Sequence, residues 1–221
     1  MKNLTVNELF DLSHTVAVGL LSSVTYPWEA LPKIKEFIPE LGKTLPKDEY
    51  YSPSEGVWIA NDASISPSAV INAPCIIGKG AEIRHCAFIR GSAIIGDGAV
   101  VGNSCELKNV ILFDRVQVPH FNYVGDSILG YKSHMGAGAI TSNVKSDKTD
   151  VTIAAGEEKI ITGLRKMGAI LGDEVEVGCN SVLNPGTVIG KNSNIYPLSN
   201  VRGFVPPRHI LKSPDCIVIK K

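Results

Sequence analysis

Aliphatic residues recur six positions apart through Ile59, Ile65, Ile71, Ile77, Ile83, Ile89, Ile95, Val101 and Leu107, without a miss. Four residues after each of the first eight stands a small one: Ala63, Ala69, Cys75, Ala81, Ala87, Ala93, Ala99 and Cys105. An α-helix repeats its face about every 3.6 residues and a strand about every two, so neither produces this period. A coil of three short flat strands meeting at three corners does produce it. The aliphatic side chain fills the interior, and the small one lets the corner close. The rhythm returns at Leu171, Val177, Leu183, Ile189, Ile195 and Val201, with Val175, Ser181, Thr187, Ser193 and Ser199 at the corners. The two tracts predict one stacked solenoid over residues 57–205.

The interruptions carry as much information as the repeat. Leu107 and Leu112 are five apart, Val118 and Val124 follow at six, and Leu129 comes after another five. Each one-residue deletion re-aims the neighbouring side chains, and His120, Phe121, Asn122 and Tyr123 stand in the middle of this stumble. A longer break, SNVKSDKTDVTIAAGEEKIITGLRKMG, has no hexapeptide register and many charges, which predicts a loop thrown out over about 145–168. Residues 1–56 read as a helical N-terminal cap. Leu9, Leu12, Val16 and Leu20 have helical spacing behind a Thr5 cap, and PWEALPKIKEFIPELG suggests a second short helix broken by Pro32 and Pro39. Both are expected to cover the open end of the first coil, and residues 206–221 are expected to form a tail folding back along the stack.

Lys and Arg together number 22 and so do Asp and Glu, with no basic cluster, so neither nucleic acid nor an anionic membrane is an expected partner. The opening residues lack the regions of a secretory signal, and no apolar run is long enough to span a bilayer, which makes a cytoplasmic protein the expectation. Five cysteines without a C-x-x-C pair argue against disulfides and against a structural zinc site, leaving free thiols.

Residues 89–143 carry VGN-x3-LK, H-x2-YVGDS and GAG-x-ITSN in one order and spacing. Together these resemble the acetyltransferase domain of the bifunctional enzyme that makes UDP-N-acetylglucosamine, and the layout around GLRKMGAILGD is similar to archaeal-type sugar-1-phosphate acetyltransferase modules. The resemblance implies an all-β, left-handed parallel β-helix of hexapeptide repeats. It implies transfer of an acetyl group from acetyl-CoA to the amine of an amino-sugar 1-phosphate, glucosamine-1-phosphate first, with no metal. It also implies a homotrimer with active sites between subunits.

Residue by residue, the resemblance makes His120 the general base, a role that suits an imidazole able to accept a proton near neutral pH. Arg90 and Lys108 match phosphate-holding positions, and their separation of one coil stacks two cations that repel unless an anion lies between them. Tyr123 and His134 match sugar-contacting positions, with His134 standing where the family has asparagine. Ala137, Asn143 and Cys179 match positions near acetyl-CoA, Cys179 replacing a serine, and Val144 replaces an aromatic residue. A nucleotidyltransferase signature is absent, so uridylation is expected on another chain.

Two other readings fit the same fold. A γ-type carbonic anhydrase needs two histidines five residues apart in one chain, whereas His14, His85, His120, His134 and His209 include no such pair. A non-catalytic partner subunit of a nucleotide-sugar enzyme is motivated by His134 and Val144.

Overall fold

Val57 pairs in parallel with Cys75 and Cys75 with Ala93, so that one coil of 18 residues returns the chain to its starting point. The computed structural model describes residues 2–213 and 216–220; Met1, Pro214, Asp215 and Lys221, the last three in the expected tail, lie outside the described residues. The repeat folds as a parallel β-helix with three faces. The first face stacks Val57–Ala60, Cys75–Ile77, Ala93–Ile95, Ala169–Leu171, Thr187–Ile189 and Phe204–Val205. The second stacks Ser64–Ile65, Glu82–Ile83, Val100–Asn103, Gln117–His120, His134–Met135, Glu176–Val177 and Asn194–Ile195. The third holds Val70–Ile71, Phe88–Ile89, Ile140–Thr141, Val182–Leu183 and Asn200–Val201.

The aliphatic series lines the interior as its period demands. Ile77, Ile89, Ile95, Val101, Leu107, Leu129, Leu171, Leu183 and Ile189 are all fully buried. Burying each contributes about 2 kcal/mol before entropy is counted. The five-residue sides have a definite form. Glu106–Leu112 and Tyr123–Leu129 run unbroken from the third face onto the first, with Asn109 and Asp126 at the corner in left-handed backbone (φ 53° and 48°). The strands pair on both sides of these two residues, Lys108 with Gly125 and Val110 with Ser127. The corner residues are thereby freed to bond to each other by their side chains.

His134 pairs with Glu176, 42 residues on, where neighbouring coils need 18, so 24 extra residues leave the stack here. They depart after Asn143 and return at Met167, whose N–H donates to the Asn143 carbonyl at 3.0 Å. Between these points Thr152–Ala155 and Glu158–Ile161 pair as an antiparallel hairpin. Val151 and Ile153 are buried, which holds the hairpin's base to the coils.

The N-terminal segment departs from expectation in two ways. The amphipathic spacing of Leu9 to Leu20 does not make one helix. The chain breaks into Val6–Leu9, Leu12–His14 and Val18–Leu21, and Thr5 occupies the cap position without a side-chain cap bond. Conversely, Pro39 does not end a helix, because Ile34–Thr44 runs through it; Ile34, Ile38 and Gly42 are buried one turn apart and outweigh the missing N–H. The segment's helical part also runs lengthwise along the stack. Asp173 N–H donates to Leu9 C=O at 3.1 Å, Asp114 N–H to His14 C=O at 3.0 Å, and Asn109 Nδ2 to Leu31 C=O at 3.2 Å. The His14 ring stacks on Tyr131 with centroids 3.6 Å apart. Gly42 then lies on the Trp58 ring, where a Cβ would come within 2.4 Å. The edge of the first coil is closed by Tyr50–Ser54, which pairs antiparallel with Val57–Ala60. The stack continues past Val205, since His209–Ser213 pairs in parallel with Asn194–Ile195 and takes Cys216–Ile219 as an antiparallel neighbour. No helix among the described residues is long and apolar enough to cross a membrane.

Asp173 fastens this strap. Its buried carboxylate accepts Asp11 N–H at 2.7 Å and Tyr131 N–H at 2.9 Å and meets Lys191 Nζ at 3.1 Å. Burial pushes its carboxyl above the ordinary range, partly offset by Lys191 and the two amides. Asp173→Ala should lower stability by about 2–4 kcal/mol, because two part-buried amides and one ammonium lose their buried acceptor together. Denaturant melts should show the shift, and limited proteolysis should cut first near residues 9–14. A variant with unchanged midpoint and cleavage pattern contradicts the strap's attachment.

Candidate active site

At the corner between the second and third faces, one residue from each coil occupies an equivalent place. His85 C=O accepts from Ser104 N–H, Asn103 C=O from Phe121 N–H, His120 C=O from Gly138 N–H, Ala137 C=O from Asn180 N–H and Cys179 C=O from Leu198 N–H. His85, Asn103, His120, Ala137 and Cys179 therefore form one ladder. Three residues singled out by sequence, His120, Ala137 and Cys179, stand on consecutive coils of it. The coils approach closely here: at Gly102 a Cβ would fall 1.6 Å from the Pro119 carbonyl, so only glycine fits beneath the strand that ends in His120.

The position of His120 is fixed from behind. Asn122 occupies the corner register that elsewhere holds Ala, Cys or Ser, and it is buried. Its Oδ1 accepts His120 N–H at 3.0 Å, and its Nδ2 donates to Gly136 C=O at 2.8 Å and Ala139 C=O at 2.9 Å. The Cys105 thiol lies against it, within 3.6 Å of Oδ1. Phe121, between them, holds left-handed backbone at φ 53°, which turns the chain so that the His120 ring stays outside. The imidazole is exposed. Among the described residues it has no side-chain hydrogen bond, and its one ring neighbour is Phe121 at 6.4 Å.

Around the corner, the third face carries a connected polar cluster. Asn143 Nδ2 donates to Tyr123 Oη at 3.2 Å and to Asp126 Oδ2 at 2.5 Å. Asn109 Nδ2 donates to Asp126 Oδ1 at 2.9 Å, and Lys108 Nζ stands 3.7 Å from Asp126 Oδ2. Gly125 leaves room for this, since a Cβ there would come within 2.4 Å of Tyr123 Oη. Burial raises the Tyr123 pKa, with Asp126 and Glu106 adding to it, so the phenol stays neutral and keeps its own hydrogen to donate. Arg90 Nη1 contacts Glu106 Oε1 at 2.7 Å.

Arg90 and Lys108 thus differ from the expectation of two bare cations awaiting an external anion. Each already has a carboxylate of this chain beside it. The pairs do not exhaust their donors: Arg90 uses one of five N–H groups on Glu106, and the Lys108 contact is long. His134 is not brought to the Tyr123 cluster within the chain. It lies on the second face with its Nδ1 2.9 Å from Glu176 Oε2, and it lines a groove with Arg115, Gln117, Lys132 and Glu176. Asn122, Asn109 and Glu106 escaped the sequence reading. Asn122 had a visible signal, a polar residue in a register of small ones. Glu106 had none, because it reaches Arg90 across the ladder rather than along it.

Fold and repeat together define a hexapeptide-repeat β-helix protein. The chain belongs to the GMPPB C-terminal domain family, whose model matches residues 73–193. It is similar to the protein described as bifunctional protein GlmU of Methanococcus aeolicus, 39% identical over 247 aligned positions that cover 97% of this chain and 59% of that one. The GlmU of Methanococcus maripaludis is 35% identical over 206 positions, covering 92% and 50%. A bifunctional sugar-1-phosphate nucleotidylyltransferase/acetyltransferase of Sulfurisphaera tokodaii is 35% identical over 96 positions, covering 43% and 24%. The chain therefore spans at most 59% of the length of these relatives.

Asp126 is the hub of the cluster, being buried and accepting from two asparagines while its C=O accepts Gly168 N–H at 2.8 Å. Asp126→Ala should remove about 2–4 kcal/mol of stability by taking one acceptor each from Asn109 and Asn143, read as a lowered denaturant midpoint. Asp126→Asn should recover part of it. Equal midpoints for wild type and Asp126→Ala exclude the hub role.

Proposed function

We propose that this chain is an acetyl-CoA-dependent N-acetyltransferase acting on an amino-sugar 1-phosphate, glucosamine-1-phosphate first, with His120 as general base. The observation that carries the reading is the state of His120: backbone anchored by Asn122, ring exposed and without a hydrogen-bond partner among the described residues, with a cluster able to bind hydroxyls and an anion around the corner. In this reading the acceptor amine loses its proton to the His120 imidazole as its nitrogen attacks the thioester carbonyl. The tetrahedral adduct then collapses, the C–S bond breaks, and the CoA sulfur leaves with the proton as a thiol. The products are the N-acetyl sugar phosphate and CoA. Ala137 and Cys179, one and two coils beyond His120, line the path along which the pantetheine arm would run. Tyr123 and Asn143 would bond the sugar, and the unused donors of Arg90 and Lys108 would meet its phosphate. The Sulfurisphaera tokodaii relative, whose description names sugar-1-phosphate nucleotidylyltransferase and acetyltransferase activities, supports the substrate class.

The same proposal includes a homotrimer with sites between subunits. Phe121 and Leu198, 61% and 79% exposed, stand at equivalent corner positions near the His120 ladder, and Val70 and Phe88 continue apolar surface on the third face. Packing against second copies would bury these side chains. Sedimentation at micromolar concentration should give three times the chain mass; a monomer there overturns the assembly.

The activity test is direct. Purified protein with acetyl-CoA and glucosamine-1-phosphate should yield the N-acetylated sugar by mass spectrometry, and free glucosamine should be a poor acceptor. His120→Ala should lower turnover by ~10² to 10⁴ with the fold intact, and the residual rate should climb with pH as the acceptor amine deprotonates unaided. Arg90→Ala should narrow the preference for the phosphorylated acceptor by ~10- to 100-fold. Near-native turnover in His120→Ala removes the base assignment. An unphosphorylated acceptor used equally well removes the phosphate reading.

A further inference from the structure

Two stacked cations with no carboxylate within 4 Å among the described residues occur elsewhere on the molecule, at Arg115 and Lys132. Both stand at the corner between the first and second faces, two residues before Gln117 and His134, which pair with each other in parallel register. They therefore occupy the same place on adjacent coils, about 5 Å apart along the stack. Both have left-handed backbone, with φ of 57° and 55°, and both are exposed. Neither forms an ion pair among the described residues. Lys132 Nζ lies over the Tyr131 ring, 5.0 Å from its centroid.

Asp97, Asp114 and Glu176 each have a contact of their own, and no carboxylate lies within 4 Å of either cation among the described residues, although the charge of Asp114 reaches Arg115. Asp97 Oδ1 accepts Lys79 N–H at 2.8 Å, and Asp114 Oδ1 accepts Asp97 N–H at 2.9 Å. Glu176 is taken by His134. Glu174, next along the corner, makes no ion pair with Lys132. Arg90, Lys108, Arg84, Lys79 and Lys191 each have a carboxylate within 4 Å.

These two cations do not simply point into solvent. With Gln117, His134 and Glu176 they line a groove of about 530 Å³ on the second face, spacious enough for a phosphate and part of what carries it. Glu176 holds the imidazole by Nδ1, so that Nε2 is left for the groove, and the Gln117 amide has no side-chain partner there. An anion bound between the two cations would remove their mutual repulsion. It would also receive a fork of guanidinium donors on one side and an ammonium on the other.

We propose that Arg115, Lys132, Gln117 and His134 form a phosphate-binding site on the second face, separate from the Arg90 and Lys108 cluster. The site itself does not depend on the acetyltransferase reading. The identity of the phosphate's carrier does, and the two sources that reading supplies are the sugar 1-phosphate and the phosphates of CoA.

Calorimetric titration of the full chain at low ionic strength, with inorganic diphosphate, glucosamine-1-phosphate and CoA in separate runs, tests this. Arg115→Gln with Lys132→Gln should weaken diphosphate binding by ~10- to 100-fold, and the charge-preserving pair Arg115→Lys with Lys132→Arg should stay within ~3-fold of wild type. Unchanged circular dichroism is expected, as both side chains are exposed. A parallel loss for CoA alone identifies CoA as the carrier, and a loss for glucosamine-1-phosphate alone identifies the sugar. Loss of diphosphate with neither of these changed keeps the anion site and severs its link to acetyl transfer. Equal binding of all three probes by wild type and the double Gln variant, or no binding of diphosphate by wild type, overturns the site. Absence of turnover in a wild-type protein that still binds diphosphate through Arg115 and Lys132 defeats the acetyltransferase reading alone.

Discussion

Every functional side chain of this protein is placed by one constraint, the parallel hydrogen bonding of each coil to the next. A residue is fixed by its partner about 18 positions away, as Cys75 is by Val57 and Ala93, and the side chains at one register become a column. Columns turn distant sequence positions into neighbours without any folding-back of the chain. His120, Ala137 and Cys179 share a column although 42 residues separate the last two. The same constraint explains the glycine at 102, where two backbones meet too closely for a side chain.

Departures from the period concentrate the chemistry. The two shortened sides create continuous strands through Asn109 and Asp126; those corner residues bond to each other, and Asp126 also accepts from Asn143. The 24-residue excursion also begins at Asn143 and returns beside Asp126, so the hairpin is rooted in the same cluster. Buried polar groups are costly unless satisfied, and here Asn122 and Asp126 satisfy and are satisfied by the backbone and side chains that frame His120 and Tyr123. On the third face Arg90 and Lys108 each have a carboxylate within 4 Å, while Arg115 and Lys132, at the edge of the second, have none among the described residues.

The coils, their interior residues and the point where the chain leaves them were legible because a strict period has one structural solution. His120 stood out because it sits where that period fails. What lay outside the period was hidden. Apolar spacing in the first 44 residues shows that one side is buried, yet it does not say against what, so a lengthwise strap and an end cap look alike. Pro39 marked a break on local rules, and burial of Ile34, Ile38 and Gly42 prevailed. The pairing of Arg90 with Glu106 runs between columns, where a search along the repeat does not look. His134, matched by resemblance to a sugar position, faces a different groove within its own chain.

The strap has a consequence for how the molecule comes apart. In an unbraced solenoid each coil touches only the two beside it, so stability is a sum of neighbour terms and the ends can fray one unit at a time. Here a single segment bonds to Asp173, Asp114 and Asn109 and lies on Trp58. Opening an end coil therefore disturbs contacts many coils away. The braced stack should come apart less like a zipper and more like a two-state domain, with the columns around His120 lost or kept together.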